Sequence, residues 1–203
     1  MQFEKGIFYT AKGLLIRPGD SVKEYINKTR NRHTKPIPFL TITSLLYTLV
    51  AHFSHADKIY NEKEQFSLGE SSIEDILRWV QANYGYTNIM MGIFIAFCVK
   101  LLFRKYKYNL SEIMVLLCFI MGQGMLLLTL EAFFVGLMNK QIFIGILTII
   151  SFAYPTWAIG HFFDKLKFSS YVKSFLAYFL GYLFFYIAVV LVGLTVDSIS
   201  KLL

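Results

Sequence analysis

Charge is scarce in this sequence. Asp, Glu, Lys and Arg together make up 16% of 203 residues, against the quarter or so typical of a soluble domain. Cysteine is nearly absent, and its two copies, Cys98 and Cys118, both sit in apolar stretches. Neither a disulfide framework nor a close-spaced zinc site is therefore written here, and two packed, reduced thiols are expected. The sequence holds no nucleophile elbow, phosphate loop, haem motif, HExxH or carboxylates paired as an acid/base couple, so no catalytic residue, metal or cofactor is expected and the chain is read as non-enzymatic. Residues 1–36 are polar and basic, and the first long apolar run follows them. No cleavable signal peptide is thus expected, the first span serving as its own insertion signal.

What the chain does have is apolar surface: 56% hydrophobic and 17% aromatic residues. These gather into blocks near the length that crosses a hydrocarbon core, about 20 residues. An all-α polytopic transmembrane bundle of about five spans is predicted, over 36–53, 86–103, 110–138, 141–163 and 171–196. Two regions result: a basic cytoplasmic amphipathic segment, 1–35, and the bundle, 36–203. Residues 7–16 are apolar but too short to span, and predict a helix lying at the inner membrane surface. Arg17-Pro18-Gly19-Asp20 reads as a turn, and Ser21 with Glu24 as the capping box of a second short helix. Pro36 and Pro38 suit the first turn of span one. Ser72 with Asp75 opens an amphipathic helix on the outer surface, its apolar face carrying Ile73, Ile76, Leu77, Val80 and Tyr84.

A net charge of +7 raises nucleic acid as a partner. The basic residues flank spans and form no single stripe, so direct nucleic-acid binding is not expected; the lipid bilayer is. Eight Lys and Arg in the N-terminal segment, four around the second turn and three around the fourth put fifteen of the 20 on one side. That bias predicts a cytoplasmic N-terminus and, with five spans, a periplasmic C-terminus.

Polar groups inside spans are functional candidates by default. Glu112, Gln123 and Glu131 on span three form a candidate polar seam. The two carboxylates stand roughly 28 Å apart along a helix, too far for an acid/base couple. Glu112, one turn inside the basic edge, is expected to pair with Lys100, Arg104 or Lys107. Gly122 and Gly124 read as packing residues, and Tyr178, Tyr182 and Tyr186 as an aromatic packing stripe. Tyr154-Pro155 marks a candidate kink in span four. His52 and His55 are read as surface histidines and not as ligands. Arg17, Lys28, Arg30, Arg32 and Lys35 are candidates for contact with a partner or with lipid headgroups.

The run Arg17-Pro18-Gly19-Asp20-Ser21-Val22-Lys23-Glu24-Tyr25-Ile26-Asn27-Lys28-Thr29-Arg30, reaching Pro36, with Tyr86-Thr87-Asn88 and Tyr108-Asn109-Leu110-Ser111-Glu112 further on, carries a resemblance. It resembles an uncharacterised membrane-protein family of Bacteroidota, loosely related to the Yip-like five-span proteins. Many relatives begin with a cysteine-rich zinc ribbon, which this chain lacks, and that leaves any contact made by the ribbon in doubt. In length and topology the chain also resembles the small membrane accessory proteins encoded beside type VI-B CRISPR RNA-targeting effectors. That resemblance implies a bacterial inner-membrane modulator of RNA-guided antiviral defence, with the cytoplasmic effector as partner and a depolarising homo-oligomeric pore as its means. The alternatives are a non-conducting scaffold or envelope factor using the basic N-terminal segment, and a small transporter using Glu131 and Gln123.

Overall fold

The computed structural model describes residues 2–27, 33–54, 72–134 and 139–200. Every regular element among them is helical. In chain order these are α1 (Gln2–Ile16), α2 (Pro18–Asn27), α3 (Pro36–Phe53), α4 (Ser72–Ala82), α5 (Tyr84–Leu102), α6 (Leu110–Phe133), α7 (Lys140–Asp164) and α8 (Phe168–Ser200), with one 3₁₀ turn, Arg104–Tyr106, between α5 and α6. Helices α3, α6, α7 and α8 are long and apolar enough to cross a membrane, and α5 is apolar and slightly shorter. The protein is a helical membrane bundle.

Helix α6 is its axis, packed against α3, α5 and α7, while α8 closes the ring by lying on both α5 and α7. The α1–α2 hairpin sits at one end against α6 and α7; α4 sits at the other against α8 and α5. These are termed the basic end and the far end. Lipid supplies no hydrophobic drive for helices to associate, so close packing must hold them together. The contact between α3 and α6 depends on Gly122, where a Cβ would come within 2.7 Å of the Phe39 ring. Phe39, Phe119, Phe143 and Phe162 are fully buried between helices. Three buried hydroxyls are satisfied within their own helices: Thr43, Thr129 and Ser174 donate to carbonyls one turn back.

The helices differ from the sequence expectation at three boundaries. Span three ends at Phe133, because Phe134 leaves helical geometry (φ −95°, ψ 7°); the last four residues of the expected span, 135–138, lie outside the described residues. The Asn139 side chain then accepts the Gln141 N–H at 3.1 Å and starts α7. Span five runs longer than expected, as Phe168–Ser200. Arg17-Pro18-Gly19-Asp20 is not a turn. Only Arg17 falls outside helix, Pro18 opens α2, and Ser21, expected as its cap, is buried inside it. Proline's fixed φ suits a first helical position as well as a turn, and the Ser21 N–H bonds the Arg17 carbonyl at 3.0 Å.

Candidate functional site

The basic end is knitted together from three connections. Pro18 has no N–H, so the Leu14 carbonyl one turn before it loses its helical donor. The Tyr154 hydroxyl of α7 donates to that carbonyl at 3.2 Å. Tyr154 lies ten residues, roughly 15 Å of helix, from the end of α7, so the hairpin tip rises alongside the bundle instead of lying flat beneath it. Gly19 rests on the α7 backbone: a Cβ there would stand 2.4 Å from the Phe162 nitrogen. Beside it, Phe103, Tyr106 and Tyr108 from the α5–α6 turn pack on Phe162 and Phe163, with Phe103 stacked on Phe163 at 4.0 Å. The Lys23 ammonium stands 5.5 Å over the Phe162 ring, a favourable cation–π position. Lys107 takes a left-handed φ of 57° to close the turn.

This framework holds exposed cations: Lys12, Arg17, Lys35, Arg104, Lys105 and Lys165. Lys165 approaches Asp20 at 3.6 Å, an exposed pair that adds little stability. Lys167 donates to Asp164 at 2.8 Å, and that bond holds its ammonium above the usual lysine range. Where α3 begins, the Thr34 N–H bonds Thr10 Oγ1 at 3.1 Å, and His33 lies between the rings of Tyr9 and Tyr25. His33 Nε2 and Thr34 Oγ1 are buried without hydrogen-bond partners. Burial lowers the His33 pKa; the Glu24 carboxylate opposes this and the Arg17 cation reinforces it.

The residues of the expected seam separate. Glu112 accepts the Asn109 N–H at 2.7 Å and caps its own helix. It thus serves α6 locally, where a bond to Lys100, Arg104 or Lys107 was expected. Gln123 and Glu131 are buried farther along, and Gln123 Oε1 and both Glu131 oxygens lack a hydrogen bond of good geometry. The Leu147 backbone of α7 is the polar neighbour of Glu131. Helix α7 continues through Pro155, and Tyr154, expected with it at a kink, fastens the hairpin. Lys28, Arg30, Arg32 and His55 lie outside the described residues. No group of three metal-ligating side chains occurs among the described ones, and both cysteines are buried and free.

Between α5, α6, α7 and α8, toward the far end, lies a cavity of about 370 Å³. Tyr178, Tyr182 and Tyr186 pack against Phe152 and Phe185 as expected and also line one wall of the cavity, where Tyr182 donates to the Tyr186 hydroxyl at 3.2 Å. Met91, Met121 and Met125 line the opposite side. Gly124 opens onto it, with nothing within 4 Å of where its Cβ would be. Pro155 frees the Ser151 carbonyl on the α7 wall. Asn88 borders it, only 4% exposed, and its Nδ2 has no partner. The sequence carried Asn88 only within a short motif, and helical periodicity cannot distinguish a packed face from one bordering a void.

Residues 4–48 match a family described as Protein of unknown function (DUF3667). The matched stretch covers the α1–α2 hairpin and most of α3. No curated protein and no solved structure matches the chain.

Proposed function

We propose that the protein is a non-catalytic scaffold of the bacterial inner membrane, whose basic end holds an acidic cytoplasmic protein. The observation that carries this reading is the fastening of the α1–α2 hairpin to α7, through Tyr154 and Gly19, beside the aromatic cluster under the α5–α6 turn. Cations on a fixed framework lose less freedom on binding than cations on a loose tail. Complementary charge also steers a partner and sets its orientation. An RNA-guided effector is the partner that the resemblance suggests.

The test replaces Lys35, Arg104 and Lys105 with Glu and compares co-purification of a type VI-B effector with equal inserted amounts of wild type and variant. Retention by the wild type and loss by the variant is the expected result. Equal retention defeats the platform, and retention by neither removes this effector as partner. Glu131 and Gln123, buried with unpaired oxygens, favour a conducting oligomer as the second reading, since unpaired polar groups in a span need water or a neighbour. Depolarisation in effector-triggered cells, abolished by Glu131→Gln, would support that reading over the scaffold.

A further inference from the structure

We propose that the cavity between α5, α6, α7 and α8 binds a neutral, planar, lipid-soluble carbonyl compound. Interiors are packed with few voids larger than a water molecule, and a partly open space of about 370 Å³ bordered mainly by four helices is far beyond a packing defect. Among the described residues no charged side chain lines it, so an ionic ligand would lose its hydration without compensation. Its position within an apolar helical bundle favours a ligand that arrives through lipid. The Tyr178, Tyr182 and Phe185 rings on one wall and the Met91, Met121 and Met125 thioethers on the other form two apolar faces. Such faces accept a flat, polarisable body.

The Asn88 amide fixes the polar requirement. It is buried at 4% exposure, borders the cavity, and its Nδ2 donates to nothing. A buried donor without an acceptor is costly, and a carbonyl oxygen on the ligand is the acceptor it lacks. Gly124 leaves the space opposite unfilled.

The experiment uses the full chain in lipid nanodiscs and two probes of one shape, 2,3-dimethyl-1,4-naphthoquinone and 2,3-dimethylnaphthalene, which differ only in the two carbonyls. Equilibrium binding is measured above partition into empty nanodiscs. The expected result is saturable binding of the quinone, about tenfold or more tighter than the hydrocarbon. Asn88→Leu should erase that difference, and Gly124→Leu, which narrows the cavity, should weaken binding of both. Equal affinity for the two probes in the wild type would identify the cavity as a site for lipid tails and overturn the proposal. So would the absence of saturable quinone binding, or a preference that survives in Asn88→Leu. The wild-type comparison stands even if a variant fails to insert.

Discussion

At the scale of single residues, the basic end depends on two residues whose importance comes from what surrounds them. Gly19 lets α2 approach to backbone contact with α7. Valine there has to push the helices apart, at about 1–3 kcal/mol. Gly19→Val is expected to open Lys23 to trypsin in detergent-solubilised protein, with cleavage after Lys23 faster than in the wild type; unchanged cleavage would show that the hairpin does not depend on this contact. His33 makes the same region sensitive to acid. Its folded pKa lies below the ordinary value of 6.5 because it is buried. The unfolded chain therefore takes up a proton that the fold resists. This contribution is complete above pH 6.5 and is lost as pH falls from there through the lower folded value. Thermal unfolding at about pH 7.5 and about pH 5.5 measures it. The midpoint should drop at the lower pH, and drop less in His33→Gln; equal drops in both proteins would assign the sensitivity to another group.

At the scale of elements, the short helices α1, α2 and α4 are held by residues from distant helices. The first free N–H of α4, at Ser72, bonds the Asp197 carboxylate of α8 at 2.9 Å. A carboxylate at a helix N-terminus satisfies an orphan donor and complements the helix dipole, together worth about 1 kcal/mol. Asp197→Ala should therefore raise amide hydrogen exchange across Ser72–Ala82 while leaving α6 protected. Exchange unchanged in α4 would mean that apolar contact alone, such as Ile73 on Gly193, holds it. The elements themselves were largely legible: apolar block length located α3, α5, α6, α7 and α8, and the Ser72 pattern located α4. The start of α2 was not, since Pro18-Gly19 suits a turn locally and the reason for Gly19 lies on α7. Glu112 was legible as a residue at the basic edge, yet its partner is the backbone three residues before it. The cavity could not be read at all, since a void belongs to the packing of four helices and to no single stretch.

At the scale of the whole molecule, topology is open to direct measurement. The two native thiols are buried, so a cysteine introduced at the surface reports with little background. Lys105→Cys at the basic end and Asn139→Cys at the far end should label from opposite sides of the membrane, with Lys105→Cys reached only from the cytoplasm. Labelling of both from one side would overturn the arrangement. The helices that cross are also unequal. Helix α3 has 18 residues, while α8 runs for 32, Phe168–Ile199, with Lys173 and Asp197 near its two ends. At 1.5 Å per residue the uncharged stretch between them, 174–196, spans roughly 35 Å against about 27 Å for α3, in a hydrocarbon layer of about 30 Å. One flank of the protein is therefore slightly too tall for the bilayer and another slightly too short. A lean of the bundle or a small local change in bilayer thickness accommodates both.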